Sequence, residues 1–332
     1  MIASQEARTT LSFYKYARIG NPALFRDHFY ILLNQIGTLG RIYVAHEGVN
    51  AQISVPNDQF QQLQSALNEI IFLRDIRYNV AIEDDGKSFF KLNIKVRKKI
   101  VADGLDDSTF DVTSIGQHIT AQEYNQLTDN PATLIVDMRN HYESEVGHFE
   151  GAIRPDVETF RESLPIVEGM LADKKNQPIV MYCTGGIRCE KASAYLKHKG
   201  FKDVYQLDGG IIEYARQVEQ LGLENKFKGK NFVFDERLGE RISEEIIAHC
   251  HQCGTACDTH TNCKNDACHI LFIQCPTCAE KMNDCCSTKC TQFMELSEDQ
   301  RQKLKGTIDF NGTKFGKGRY KAFHKNEKLY LG

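Results

Sequence analysis

Ten of the chain's twelve cysteines fall between Cys250 and Cys290, and that crowding limits what the stretch can fold into. The segment is polar and too poor in apolar residues to close a core of its own, so a metal would supply the missing folding energy. Cys250-x2-Cys253 and Cys275-x2-Cys278 have the spacing of ligand pairs and are the candidate metal ligands. Cys257, Cys263, Cys268, Cys285, Cys286 and Cys290 lie around them, with His249, His251, His260 and His269 interspersed. Ten cysteines suffice for two four-ligand sites, and the spacing does not decide which four form a set. Structural zinc, an iron–sulfur centre, and free or disulfide-bonded thiols all remain compatible with it. No stretch approaches the ~18 apolar residues of a membrane span, and the N-terminus lacks a basic-then-apolar signal pattern. The expectation is therefore a cytoplasmic protein with no membrane partner and reduced thiols, where such a cluster reads first as metal binding or redox chemistry.

The 332 residues leave room for two or three domains, and a net charge of −3 forecasts no partner. Residues 11–17 read as a strand, Asn21-Pro22 opens a helical pattern, and two strand-like runs meet at Glu47-Gly48 in a hairpin. A second helix starts at Pro56, and the run "FFKLNIKVRKKIV" reads as the last strand of a βαββαβ unit. That order predicts a ferredoxin-like α+β domain over 1–101. A polar linker covers 102–118. From Thr120 short apolar runs, "TLIVDMR" and "PIVMYC", alternate with helical patterns, the sign of a buried parallel sheet over 119–222. The cysteine-rich module follows over 223–295, and a basic, aromatic tail over 296–332. The fold class is α/β, with a central parallel-sheet domain between the other two.

Cys183 stands at the end of one of these strands, where open α/β sheets bind their ligands. The following "TGGIR" can curl so that its N–H groups point at the sulfur, and the next helix begins a few residues later. A helix N-terminus and Arg188 both favour thiolate over thiol. A phosphate-hydrolysing C-x5-R loop would place arginine at position 189, which is Cys189. The tighter C-x-x-G-x-R loop suits a sulfur atom better than a tetrahedral phosphate.

Residues 119–222 resemble a rhodanese domain: "IVDMR", "ESEVGHFEGAIRPD", the cysteine loop and "VYQLDGGIIEYA" occur in that family's order. The resemblance implies that Cys183 forms a persulfide and that Thr184, Gly185, Gly186, Ile187 and Arg188 cradle it. It makes Asp137 and Arg139 the strand-end pair beside the loop, in a structural or a catalytic role, and gives His148 a packing role. With "GRIYVAHEGVNAQISVP" and "CHQCGTACDTHTNCKNDACHILFIQCPTC", the chain over roughly 10–295 is similar to the bacterial TrhO (YceA) family. Membership would imply oxygen-dependent 5-hydroxylation of the wobble uridine of tRNA, with dioxygen and a reductant as co-substrates. In that family a second cysteine follows the loop, as Cys189 does here, either as a resolving thiol or as a core residue of the helix's first turn. The rival reading is a persulfide sulfurtransferase delivering sulfur to a protein or small acceptor, and a third is a zinc-stabilised scaffold. The motifs do not say how oxygen is activated. There is no GxGxxG, and the H-x-E of His148 and Glu150 falls in a segment that rhodaneses use for packing.

Two surfaces fit RNA rather than DNA. Lys91, Lys95 and Arg97 alternate with Leu92, Ile94 and Val96, which predicts one cationic and one buried face. The tail interleaves Arg301, Lys303, Lys305, Lys314, Lys317, Arg319, Lys321, Lys325 and Lys328 with Phe310, Phe315, Tyr320 and Phe323. Cations with aromatics between them can grip phosphates and stack on the unpaired bases of an anticodon loop.

Overall fold

The computed structural model describes residues 7–84, 86–304, 306–312, 319–321, 325–326 and 328–329. The N-terminal part runs β1 (Arg8–Tyr16), α1 (Pro22–Gln35), β2 (Leu39–Ala45), β3 (Gly48–Pro56), α2 (Phe60–Glu69), β4 (Asn79–Val80) and β5 (Leu92–Val96). The side chain of Asn21 accepts the Leu24 N–H at 3.0 Å and Pro22 fills the first turn, which fixes where α1 begins. The five strands lie in the order β4-β1-β3-β2-β5. The first four reproduce the ferredoxin-like arrangement, with one correction to the expected elements. The fourth strand is the two-residue β4, paired with β1 through Leu11–Val80 and Ser12–Asn79. The run "KLNIKV" is instead an added strand, β5, parallel to β2 on the opposite edge. As an edge strand it buries Ile94 but leaves Val96 40% exposed, so its apolar face is only partly covered.

Alternation along the inner strands sorts the sheet's two faces. Leu11, Phe13, Ile42, Val44, Ala51 and Ile53 point into the helix-covered core. Ser12, Tyr14, Arg41, Tyr43, Asn50 and Gln52 fall on the opposite, polar face.

The middle domain runs β6 (Gln117–Ile119), α3 (Ala121–Thr128), β7 (Leu134–Asp137), α4 (His141–Val146), β8 (Gly147–Phe149), α5 (Phe160–Met170), β9 (Ile179–Tyr182), α6 (Ile187–His198), β10 (Val204–Leu207) and α7 (Gly210–Leu221). Its parallel sheet has the order β6-β10-β9-β7. One face packs Val136, Met181 and Leu196, and the other packs Tyr124, Phe149, Val180 and Tyr214. Helices on both faces explain why β7 and β9 read as unbroken apolar runs.

The connection over 102–118 ties the two domains together. Lys191 Nζ, 3% exposed, reaches Glu47 at 2.9 Å on the hairpin and Asp107 at 2.6 Å in the connection. Lys99 holds Asp103 at 2.7 Å and Asp107 at 2.8 Å. Paired acids and amines of this kind fix the docking of the polar sheet face onto the middle domain.

The last part contains β11 (Phe227–Asn231), β12 (Glu240–Arg241), β13 (His260–Asn262), β14 (Leu271–Ile273), α8 (Pro276–Met282), α9 (Thr288–Glu295) and α10 (Glu298–Leu304). Strand β11 pairs antiparallel with β8 of the middle domain. The tail differs from expectation where it is described. Phe310 packs edge-on against Phe293, and Tyr320 stacks on both His251 and Phe272. Arg319 pairs with Asp156 at 2.9 Å. These side chains are committed to packing and are not an open stacking platform. Lys305, Lys314, Lys317, Phe315 and Phe323 lie outside the described residues. Among the described residues no helix is long and apolar enough to cross a membrane.

Candidate active site

Strand β9 delivers Cys183 to the carboxyl edge of the sheet, and the loop then turns back over it. Gly186 adopts φ +98°, a conformation L side chains rarely accept, and its N–H donates to Cys183 Sγ at 3.2 Å. Helix α6 starts at the next residue, so its N-terminal N–H groups also face the sulfur. Behind the loop the Ile211 N–H donates to the Cys183 carbonyl at 3.0 Å. Gly210 lies so close that a Cβ there would sit 2.4 Å from that oxygen.

Burial works to raise the Cys183 pKa. It is overcome by a hydrogen bond from the Cys189 thiol, by the Arg188 charge and by the N–H groups of Arg188 and Cys189, which bring the thiol down to about 6. Cys189 is pushed the other way, by burial and by its hydrogen bond to Cys183. The pair therefore holds one thiolate and one thiol near neutral pH, with the proton on Cys189.

Arg188 is engaged more fully than the loop motif suggests. Its fork closes on Glu143 of α4, with Nη1–Oε1 at 2.6 Å and Nη2–Oε2 at 2.8 Å. Burial works to raise the Glu143 pKa, and the guanidinium more than offsets that. Asp137 and Arg139 form a second fork, fully buried at 2.9 and 2.7 Å. The Tyr182 hydroxyl donates to Asp137 at 2.7 Å, and Arg139 donates to the Gly147 carbonyl at 2.6 Å. This pair binds β7, β8 and β9 together and does not line the cavity described next. His148 is half-buried, with Nδ1 2.9 Å from the Ser144 carbonyl.

The polar face of the N-terminal sheet roofs the cysteine loop and encloses a cavity of about 400 Å3. Cys183, Thr184, Gly185, Ile187 and Arg188 form one wall. Tyr14, Tyr43, Asn50, Gln52, Asn79 and Arg41 come from the N-terminal sheet, and Phe234 comes from the last part of the chain. The volume is in the range of small-molecule sites. Reading the motifs misses these N-terminal residues and Glu143. The signal for the former is the polar half of the alternation in "LSFYKY", "GRIYV" and "VNAQIS", which marks a face but not what covers it. The Tyr14 hydroxyl, beside Gly186, donates to Glu190 at 2.8 Å, which joins the roof to α6. Lys91, Lys95 and Arg97 are exposed on β5 or beside it, and the Arg97 guanidinium lies 5.5 Å over the ring of Tyr43, so the cationic strand flanks the cavity.

The cysteine-rich module gathers two separate sets of sulfurs. Cys250, Cys253, Cys275 and Cys278 have all their Sγ atoms within 4.8 Å of one another, and so do Cys263, Cys268, Cys286 and Cys290. Cys257 and Cys285 belong to neither set. The sulfurs approach to 3.6 Å for Cys253–Cys275, 3.6 Å for Cys268–Cys286 and 3.7 Å for Cys286–Cys290. A disulfide needs ~2.05 Å, whereas a tetrahedral metal with ~2.3 Å bonds to sulfur spaces its ligands about 3.8 Å apart. N–H groups of Cys275 and Cys286 donate to Cys250 and Cys263 sulfurs, each at 3.4 Å, as thiolate ligands require. Either set could hold a metal ion.

Comparison with known proteins matches the three parts of the chain to three families. Residues 8–100 match the UPF0176 acylphosphatase like domain, 120–217 the Rhodanese-like domain and 228–291 the Rhodanase C-terminal family. A protein of Pectobacterium carotovorum named tRNA uridine(34) hydroxylase is 58% identical over 95% of this chain and 88% of its own length. One of Photorhabdus laumondii with the same name is 54% identical over 97% of this chain and 92% of its own. A third, from Yersinia pestis, is 58% identical over 92% of this chain and 87% of its own. With identity of this order over nearly the whole length, the chain belongs to the tRNA uridine(34) hydroxylase family.

Proposed function

We propose that this protein hydroxylates the wobble uridine of tRNA at C5, replacing C5–H by C5–OH. Dioxygen is the oxygen source, and a reductant supplies the electrons that carry its second oxygen atom to water. The reaction takes place in the cytoplasm, where tRNA is processed. The observation that carries this reading is the 58% identity over 95% of the chain to a protein of that name. The site supports it: a sulfur held largely as thiolate borders a cavity sized for a nucleoside, with tyrosines for stacking and amides for base edges. Cys183 is the reactive group, the loop from Thr184 to Arg188 sets its charge, and Cys189 keeps a proton within reach of it. Asp137 and Arg139 hold together the strands from which the loop departs. Lys91, Lys95 and Arg97 hold the phosphates beside the cavity. Glu143 occupies the Arg188 fork, so the loop's own cation is not free to hold the anionic donor of a thiosulfate sulfurtransferase.

Zinc at both sulfur sets would be structural, since four thiolates leave no open coordination position. The decisive experiment is nucleoside mass spectrometry of tRNA from cells with and without the protein. 5-Hydroxyuridine that depends on the protein and on Cys183 is the expected result. Unmodified tRNA, alongside brisk thiosulfate turnover, would overturn the reading.

A further inference from the structure

The wall of the cavity holds a buried acceptor that the protein itself leaves unpaired. Asn79, on β4, is 4% exposed and borders the cavity together with Cys183 and Gly185. Its Nδ2 donates to the Gly185 carbonyl at 3.3 Å, and its Oδ1 has no hydrogen-bond partner. The orientation is dictated by the loop, because a reversed carboxamide would set Oδ1 against the Gly185 carbonyl oxygen, acceptor against acceptor. Arg41, on β2, has a spare donor three strands away across the sheet. Its Nη2 donates to the Phe234 carbonyl, and its buried Nε has no acceptor. In Asn50 both polar atoms already have a partner: Gln52 donates to its Oδ1 at 2.7 Å, and its Nδ2 donates to the Ile100 carbonyl at 3.2 Å. Glu240 also has one unpaired oxygen, but its carboxylate is held by Arg237 and the Ile82 N–H, not by the cysteine loop.

Buried polar groups are nearly always paired, so an acceptor left over at a binding cavity marks where a ligand's own donor belongs. Uracil offers an N3–H donor flanked by two carbonyl oxygens. Cytosine offers a bare N3 acceptor in the same place. We propose, on the reading that a tRNA uridine is the substrate, that Asn79 Oδ1 accepts the N3–H of the uracil, drawn out of its stack. Asn79 is then the residue by which the site tells uracil from cytosine. Cytosine would face Asn79 acceptor to acceptor, and the side chain cannot turn without leaving Gly185 unpaired. Reading a flipped base by its Watson–Crick edge is how enzymes that act on single bases select them.

The test is binding, which needs neither oxygen nor reductant. Full-length protein is titrated with anticodon stem-loops carrying uridine, 3-methyluridine or cytidine at position 34. The wild type should prefer uridine by roughly 10- to 100-fold over both, since each alternative lacks the N3–H. In Asn79→Ala the uridine loop should bind more weakly, and the preference over 3-methyluridine should fall to a few-fold. Alkylation of Cys183 by iodoacetamide, measured in the same variant, reports whether the loop has kept its shape. Equal wild-type affinity for uridine and 3-methyluridine loops would overturn the proposal without any variant. So would a preference that survives in Asn79→Ala but is lost in Glu240→Gln. Should the wild type bind none of the loops and leave tRNA unhydroxylated, the broader functional reading fails instead, and the two failures are distinguishable.

Discussion

The cysteine loop and the cysteine-rich module use one residue type for opposite ends. At Cys183 the charge on sulfur is stabilised by groups the backbone fold brings: helix N–H groups, a guanidinium and a neighbouring thiol. In the module eight sulfurs converge in two sets that could each hold a metal ion, and four thiolates that close would need a cation to hold them. A sulfur charged by the fold remains a nucleophile, whereas a sulfur charged by a metal becomes a structural strut. The contrast can be broken at several points.

The largest expected effect is at the reactive sulfur. Cys183→Ser should lower hydroxylation by roughly a thousand-fold or more, because the hydroxyl is hardly ionised where the thiol is. Thermal stability at neutral pH should fall by only about 1–2 kcal/mol, the part that goes with the ionised thiol, since the side chains are nearly the same size. Cys286→Ser should show the reverse signature, one metal ion lost per chain and several kcal/mol of stability, with Cys183 alkylation little changed. Elemental analysis with calorimetry would decide. Metal-free protein that melts like the wild type would end the comparison.

Removing metal should act next. Chelation of the full chain should release up to two zinc ions and open the segment 250–290 to hydrogen exchange before β7, β9 and β10 respond. Simultaneous exchange of all regions would show that the module is not a separate structural unit.

The third effect is on pH dependence. The folded pKa of Cys183, about 6, is below the ordinary thiol value. Alkylation should therefore rise as pH increases through about 6 and level off by neutrality, whereas an unstructured thiol is still gaining at pH 8. The same shift makes ionised Cys183 a stabilising contribution that is present above the unfolded pKa and lost as pH falls through 6. Cys189→Ala removes the main hydrogen bond to the sulfur and should move the alkylation midpoint upward. An unmoved midpoint would assign the shift to Arg188 and the helix alone.

The smallest effect is expected at the flank. Replacing Lys91, Lys95 and Arg97 by glutamine should weaken tRNA binding and flatten its salt dependence, by roughly 0.7 in the logarithmic slope for each phosphate that is no longer neutralised. Cys183 alkylation should not change. An unaltered slope would move the RNA backbone elsewhere on the surface.

What the sequence reveals follows from the range of each signal. Runs such as "PIVMYC" and the glycines after Cys183 are local, and they locate the middle sheet and the cysteine loop. Two C-x2-C pairs are also local, and the structure brings those four sulfurs together. The second set is not legible, because Cys263, Cys268, Cys286 and Cys290 have irregular spacings and Cys257 and Cys285 are equally plausible members on sequence grounds. Strand β4 escapes because two residues make no pattern, and an edge run with better alternation stands in for it. The pairing of Arg188 with Glu143, 45 residues apart, exists only after folding. For the same reason alternation can name a polar face on the first sheet without saying that it covers the cysteine.

The pairing of β8 with β11 has a consequence for synthesis on the ribosome. Strand β8, at 147–149, belongs to the middle domain, yet its antiparallel partner spans 227–231. While the chain is being made, the middle domain must wait with one strand edge bare until the residues beyond its own last helix have emerged. Exposed edges invite pairing with other chains, and domains generally complete in the order they are translated. The middle domain is thus joined to the fate of the residues that follow it. A chain that stalls near residue 222 would present the cell with a nearly finished domain and an open edge.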